Sequence, residues 1–288
     1  MKAVLVALTL LGIAIGHNAD YNGEHIGMVI IAGKPLQAMG AGLARSYLAA
    51  SAPVLMMLGF LAFFYCLGAL HDERRDRSLL FWKSLPVSDA MTVLSKAATA
   101  LLVAPLIVFA VGIVVALLIL TLSGIALLAH GTNAFGVILS QLDFYISPLQ
   151  LIALLPVYLL WALPTVGWLL LVSSWARSKV FLWAVGVPLA IGLLTLWSQR
   201  ALGMDIDGTW FLSNITARVL LGVLPLSWFA FEQIGPADIA AGANHVDASG
   251  IFYSSWATLG DVSVWVGVAA GVAMIAAAMW IRRWREEN

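Results

Sequence analysis

Few side chains in this sequence have the types and spacing that catalysis or metal binding requires. The five histidines fall between apolar runs or at their edges, and there is no His-Glu-x-x-His pair for a catalytic zinc ion. Ser123, followed by Gly124, is the nearest match to a membrane serine nucleophile, but no histidine lies in a facing apolar run to take its proton. We therefore expect no catalytic residue and no metal ligand, and we interpret Ser123 and Gly124 as a small pair for helix packing.

A nucleotide-binding loop is missing as well. Gly27 and Gly33 precede Lys34, but five residues separate the glycines where a Walker loop has four, and Pro35 stands where Ser or Thr would bind Mg²⁺. The single cysteine, Cys66, excludes a disulfide within the chain and a cysteine-built metal site. We expect no cofactor in this chain, so any ATP and Mg²⁺ would be bound by a partner subunit.

Charge is concentrated in one segment, residues 71–96, which reads HDERRDRSLLFWKSLPVSDAMTVLSK. Asp72 with Arg75, and Glu73 with Arg77, have the spacing of three and four residues that lets a helix pair its own charges. On composition alone, the segment is equally an ordinary positively charged cytoplasmic loop whose charges neutralise each other.

A break in the chain follows this charged helix. Pro86 disfavours a helical conformation at Leu85. Ser88 or Asp89 can then cap the next helix, which continues through Lys96 into a long apolar run.

This order of features resembles the cytoplasmic segment of the permease subunits of ATP-binding-cassette exporters of the second type, the ABC type 2 family. In that family a Glu-Arg pair leaves the second span, a Leu-Pro-Val-Ser element follows, and a lysine opens the third span. The residues that carry the resemblance are Glu73, Arg74, Leu85, Pro86, Val87, Ser88 and Lys96. The resemblance implies that these residues, with Arg77, couple the chain to a separate cytoplasmic ATPase and pass its conformational change to spans two and three.

Two features depart from the family pattern. Arg77 and Ser78 stand where the family often has Gly-Thr, and the chain begins in apolar residues where the family usually has a basic amphipathic helix. The specific motif is confined to residues 71–96, whereas the six-span pattern covers the whole chain.

The elements that would position these residues are membrane helices. A chain of 288 residues that is 62% apolar and 10% charged cannot fold as a soluble globule, in which about a quarter of the residues are charged. Several apolar runs reach the roughly 20 residues that a helix needs to cross a bilayer. We predict an all-α polytopic membrane protein, with a single transmembrane domain over residues 1–288 and about six spans. The spans lie near 3–16, 47–70, 97–129, 149–174, 180–198 and 262–281.

Basic residues predict the orientation of these spans, because cytoplasmic loops retain Lys and Arg. With both termini in the cytoplasm, eleven basic residues are cytoplasmic and only four are external. The external four are Lys34, Arg45, Arg200 and Arg218. Residues 199–261 are then external, and their apolar run 219–231 is interfacial or re-entrant. The run 3–16 also resembles a secretory signal peptide, whose cleavage would leave five spans.

The predicted spans contain no Asp, Glu, Lys, Arg or His in their interiors, which disfavours an ion-driven transporter. A net charge of zero gives no electrostatic footprint for nucleic acid. We expect a permease subunit of the inner membrane that is not itself an enzyme and that pairs with a second permease, the same or different, and with a cytoplasmic ATPase. Gly267 and Gly271 form a small-xxx-small face for helix packing. The alternative is a membrane scaffold or assembly protein that docks a soluble partner through residues 71–96 and transports nothing.

Overall fold

The computed structural model describes residues 42–44, 47–75, 88–129, 133–204, 207–234 and 248–286. Helices dominate these ranges, and no strand occurs in them. The α-helices are α1 (Ala52–Ala69), α2 (His71–Arg75), α3 (Asp89–Ala98), α4 (Ala104–Ala129), α5 (Phe135–Ser140), α6 (Leu142–Ala153), α7 (Leu155–Trp175), α8 (Val180–Leu202), α9 (Gly208–Phe211), α10 (Ala217–Leu221), α11 (Ser227–Phe231), α12 (Ala248–Ala257) and α13 (Val262–Glu286).

Five helical stretches in the described part of the chain are long and apolar enough to cross a membrane. They are Tyr47–Glu73, Asp89–Ala129, Leu142–Trp175, Val180–Leu202 and Val262–Trp284. This confirms the predicted fold class, an all-α polytopic membrane protein. The predicted span 3–16 lies outside the described residues.

The stretch Asp89–Ala129 is far longer than a bilayer needs. Its 41 residues extend about 61 Å at 1.5 Å per residue, against a hydrocarbon core of about 30 Å. A π-helical turn, Thr99–Val103, joins α3 to α4 immediately before Pro105. Proline cannot donate a helical hydrogen bond, and wider turns are one way in which membrane helices accommodate it.

The chain divides into two units. The first comprises Met1–Leu55, Val108–Ala153 and Ile239–Tyr253, and the second comprises Met56–Ile107, Leu154–Asp238 and Ser254–Asn288. In the first unit, Tyr47 and the helix residues Ala116, Leu120 and Ile138 belong to one buried apolar cluster.

In the second unit, α7 is the central helix, and most of its side chains are buried. Its partner α13 approaches closely because both helices have glycine at the contact. A Cβ atom on Gly167 would lie 2.5 Å from the carbonyl oxygen of Gly271, and a Cβ atom on Gly271 would lie 2.8 Å from the Leu163 carbonyl. Any larger residue at either position would therefore push the two backbones apart.

A proline leaves the carbonyl four positions earlier without its helical donor, and at two positions an aromatic side chain replaces that donor. Pro188 in α8 cannot donate to the carbonyl of Ala184, and the indole Nε1–H of Trp168 donates to that oxygen at 2.8 Å. In the first unit, Pro148 cannot donate to the carbonyl of Phe144, and the hydroxyl of Tyr47 donates there at 3.1 Å. Both bonds satisfy carbonyls that lipid would leave unpaired.

The chain turns back after α8 and forms a helical hairpin over residues 207–234. Gly203 ends α8 with a φ of 62°, and Gly208 then lies against the backbone of Leu196. Further along, the hydroxyl of Thr216 donates to the carbonyl of Pro188 at 3.4 Å. The apolar run 219–231 thus lies in a hairpin that packs against α7 and α8.

The tip of this hairpin is tied to α7 by hydrogen bonds. Here the hydroxyl of Thr165 donates to the carbonyl of Arg218 at 2.8 Å, and the hydroxyl of Tyr158 donates to that of Val223 at 3.1 Å. The carbonyl of Arg218 also accepts from the N–H of Gly222 at 3.0 Å, so the bonds from α7 add to the bonding of the hairpin and attach it to α7.

Candidate functional site

The predicted coupling residues Glu73 and Lys96 meet in an ionic cluster of the second unit. Lys96 Nζ lies 2.9 Å from Glu73 Oε1, and Arg282 Nη1 lies 3.3 Å from Glu73 Oε2. The Nε of Arg282 donates to Asp89 Oδ1 at 3.2 Å. Two acidic and two basic side chains from α2, α3 and α13 therefore form one network, which we call the ionic cluster.

Backbone contacts fix the position of Glu73. The N–H groups of Leu70 and His71, where α1 passes into α2, both donate to the hydroxyl of Ser173 on α7, at 3.1 Å and 3.0 Å. The His71 ring also contacts the carbonyl of Ala176 at 3.3 Å. Glu73 is thus placed by the end of α7 as well as by its own helix.

Ser88 is the N-cap of α3. Its backbone is extended, with φ −75° and ψ 151°, and its hydroxyl accepts a hydrogen bond from the N–H of Met91 at 3.3 Å. Of the two capping residues that the sequence allows, the structure selects Ser88. The carboxylate of Asp89 is then available to Arg282.

The ionic cluster is partly removed from water. The side chain of Arg282 is 10% exposed and that of Glu73 is 19% exposed. Exposed ion pairs contribute little, typically below about 1 kcal/mol, whereas a charge that loses its partner in a partly buried site is costly. The cluster therefore fixes α2, α3 and α13 against one another more firmly than surface pairs would.

The remaining predicted coupling residues are not placed in the cluster. Arg74 belongs to α2, but its side chain is not among those described. Arg77, Leu85, Pro86 and Val87 lie outside the described residues. Sequence reasoning missed Arg282, which it interpreted only as one of the basic residues that predict orientation, and it considered Asp89 only as a cap.

The two glycines of the predicted small-xxx-small face have different neighbours. Gly271 lies against Gly167 and Leu163 of α7, as described above. Gly267 instead lies beside a buried arginine, because a Cβ atom there would be 2.5 Å from Arg218 Nη2. Both contacts are within the chain.

Arg218 is the most unusual charged residue of the described structure. It is only 8% exposed, and its Cζ lies 4.2 Å from the ring centroid of Trp161, which is fully buried. Its Nη1 donates to the carbonyl of Ser263 at 2.9 Å and its Nη2 to that of Val264 at 3.3 Å, while its Nε has no hydrogen-bond partner. Burial lowers the pKa of Arg218, and the nearby carboxylates of Glu232 and Asp261 oppose that shift.

Ser263, in the first turn of α13, contacts the charged groups near the start of that helix. Its N–H lies in the first turn, where the helix offers no acceptor, and donates to Asp261 Oδ1 at 3.0 Å, which makes Asp261 an N-capping residue. Its hydroxyl lies 3.2 Å from Glu232 Oε1, to which it donates, and its carbonyl accepts from Arg218. Arg218, Glu232 and Asp261 thus meet through a single serine.

Neither of these sites has the side chains that a metal centre requires. Within the described ranges, no three His, Cys, Asp or Glu side chains are placed to hold a metal ion. The chain matches no protein-family model, no curated protein and no solved structure. The ionic cluster, the buried arginine and the membrane helices are the features of the described residues that bear on function.

Proposed function

We propose that this chain is the permease subunit of an ATP-driven exporter of the ABC type 2 kind, and that residues 71–96 couple it to a separate cytoplasmic ATPase. In this proposal the chain binds no nucleotide itself. ATP and Mg²⁺ are bound by the partner, and a second permease subunit, the same or different, completes the transporter in the inner membrane.

The ionic cluster is the observation that carries the proposal. Residues 76–87, which include the Leu-Pro-Val part of the motif, connect α2 to α3 in the sequence. Glu73 precedes this connection and Asp89 follows it, and both carboxylates bind Arg282 of α13. A force applied to this connection would therefore reach Arg282 of α13 through Glu73 and through Asp89. It would reach α4 through α3.

Partly buried ion pairs suit this role because Glu73 and Asp89 lie on opposite sides of the connection and both bind Arg282. If α2 moves, Glu73 pulls on Lys96 and Arg282 together. If α3 moves, its cap at Ser88 and the pair between Asp89 and Arg282 move with it. A coupling segment needs such connections, because a loop joined only by backbone would absorb the displacement.

Cross-linking to the ATPase tests the proposal directly. With Cys66 replaced by Ala, a Ser88→Cys variant is purified with its co-eluting partners and treated with a thiol-to-amine cross-linker. We expect cross-linking to an ATP-hydrolysing subunit from Ser88→Cys. The matched control, Ser213→Cys, is exposed on the hairpin and should give none, because the predicted topology places it outside.

The coupling role has its own test in the same complex. A spin label at Ala276→Cys, exposed on α13, should change mobility when ATP and Mg²⁺ are added. Glu73→Gln should abolish this change, whereas Asp72→Asn, which removes the neighbouring exposed carboxylate, should preserve it. Equal responses in both variants would remove the coupling role from Glu73.

The scaffold alternative predicts a different result. A scaffold would cross-link through Ser88→Cys to a partner that hydrolyses no ATP, and the label on α13 would not respond to nucleotide. Cross-linking of an ATPase to Ser213→Cys in place of Ser88→Cys would contradict the proposed orientation.

A further inference from the structure

The end of α13 opposite the ionic cluster contains two carboxyl groups that share their surroundings. Glu232 follows α11 in the hairpin, and Asp261 precedes α13. The Ser263 hydroxyl donates to Glu232 and the Ser263 N–H donates to Asp261, so the two groups are bound to one residue. Each carboxyl group also shifts the pKa of the other, raising that of Glu232 and lowering that of Asp261. A direct bond between two carboxyl groups requires a proton on one of them.

We propose that Glu232 and Asp261 form a proton-binding site that controls how the hairpin is attached to α13. The proton resides on Glu232 when the two carboxyl groups are bonded to each other. Its release leaves two carboxylates that repel, with the buried guanidinium of Arg218 as the available partner for Glu232.

The pKa values of the two carboxyl groups are shifted in opposite directions, as a proton-binding site requires. Burial raises the pKa of Glu232, with Asp261 adding to the shift, whereas Ser263 and Arg218 lower it. The N-cap bond from the Ser263 backbone lowers the pKa of Asp261, which is fully exposed, and its bond with Glu232 adds to that shift. Asp261 therefore ionises at lower pH than Glu232, and the charged groups that act on Glu232 are Asp261 and Arg218.

The sign of the pH dependence follows from these shifts. A carboxyl group whose pKa is raised in the folded protein stabilises the fold while it is protonated, and loses that contribution as the pH rises through the raised pKa. The bond between Glu232 and Asp261 is therefore present in mildly acidic solution and is lost above the ordinary range of a glutamate. Glu232 then moves from Asp261 towards Arg218.

The movement of Glu232 towards Arg218 would affect how the hairpin is attached to α13. Both of its present hydrogen bonds go to carbonyls of α13, and no carboxylate in the described structure lies within ion-pair distance of it. A buried cation without a counter-ion is costly. An ionised Glu232 that approaches it competes with the carbonyls of Ser263 and Val264, which are the bonds that attach the hairpin to α13.

A spin label on the hairpin measures this change in the full-length chain in detergent. The label is placed at Ala230→Cys, exposed two residues before Glu232, with Cys66 replaced by Ala. Between pH 4 and 8, we expect its mobility to change with one midpoint above the ordinary range of a glutamate. Glu232→Gln should abolish the transition. Asp261→Asn retains the helix cap but removes the charge and shared bond that favour the proton, so the midpoint should move to lower pH.

A matched carboxylate elsewhere serves as the control. Asp143→Asn, in the first unit, should leave the transition unchanged. A pH-independent label, or an unchanged transition in Glu232→Gln, would overturn the proposal. If Glu232→Gln fails to fold, a ¹³C titration of labelled glutamate side chains in the parent protein decides the question, because the proposal requires one glutamate with a raised pKa that Asp261→Asn lowers. This inference does not depend on the proposed function.

Discussion

The hydrogen bond from Trp168 to Ala184 can be removed by a single aromatic substitution. The resulting loss of stability measures how far this bond replaces the donor that Pro188 removes from the Ala184 carbonyl. Trp168→Phe deletes the Nε1–H that donates at 2.8 Å to a fully buried residue. A buried acceptor without a partner costs about 1 to 3 kcal/mol, and double-mutant cycles inside membranes give about 0.6 kcal/mol on average with a maximum near 1.7. We expect Trp168→Phe to lower the free energy of unfolding by about 1 to 2 kcal/mol.

A second substitution, Pro188→Ala, completes a double-mutant cycle with Trp168→Phe. Alanine at this position supplies the N–H that the carbonyl of Ala184 lacks, because a helical residue donates to the carbonyl four positions earlier. In the Pro188→Ala background, Trp168→Phe should therefore cost only the lost packing of the ring. The coupling energy between the two substitutions should be about 1 kcal/mol, which is within the range measured for groups in contact.

Cys66 provides the assay for this cycle. It is the only thiol of the chain and is fully buried in the same unit, so a thiol reagent reports the unfolded fraction during titration with SDS in mixed micelles. Trp197→Phe, in which the replaced ring is exposed, controls for a loss of tryptophan in general. An equal cost of Trp168→Phe in both backgrounds would refute the reasoning, since the bond would then be unrelated to the missing donor of Pro188.

Four further outcomes are expected. Tyr47→Phe should destabilise the first unit by about 1 to 3 kcal/mol, and Pro148→Ala should cancel most of that cost; labelling of Ala116→Cys in the Cys66→Ala background measures it. Gly271→Ala should cost about 1 to 3 kcal/mol by overpacking, because its Cβ would meet the Leu163 backbone, whereas Gly260→Ala, with open space around it, should be nearly neutral in the SDS titration. Leu159→Arg should impair insertion by roughly 2.5 to 3.5 kcal/mol, as measured by the membrane-integrated fraction; full integration would show that this part of α7 does not face an apolar environment. The purified chain alone should bind no ATP in equilibrium dialysis, and specific binding would contradict the permease proposal.

The fold class followed from the sequence because its signal is large and local. Apolar runs of membrane length need no partner to be recognised. All five described candidate spans begin or end within a few residues of their predicted bounds, and three do so at both ends. The difference at Leu142–Trp175 arises because α6 continues the helix before the predicted start at residue 149. This stretch contains Pro148, and Tyr47 supplies the donor that the proline removes.

Only part of the ionic cluster could be predicted, because its members are far apart in the sequence. Glu73 and Lys96 were found because they lie in one recognisable segment. Arg282 completes the same network, but it is 209 positions from Glu73 and 193 from Asp89, and no local pattern connects them. Arg218 was counted as an ordinary external residue, because nothing in its neighbours' types shows that Trp161 and Gly267 make a place for its guanidinium.

Helix α13 relates the two charged sites to each other. Ser263 binds the hairpin residues at one end, and Arg282 binds Glu73 and Asp89 at the other. Ser263 and Arg282 are 19 positions apart, which is about 28 Å at 1.5 Å per residue and close to the thickness of a hydrocarbon core. Between these ends, α13 packs closely against α7 through Gly271 and Gly167. A helix bound by charge at both ends and by glycine in the middle cannot move at one end without straining the bonds at the other. The proton site and the ionic cluster are therefore expected to influence each other, and a label on Ala276→Cys that responds to pH in the parent but not in Glu232→Gln would show it.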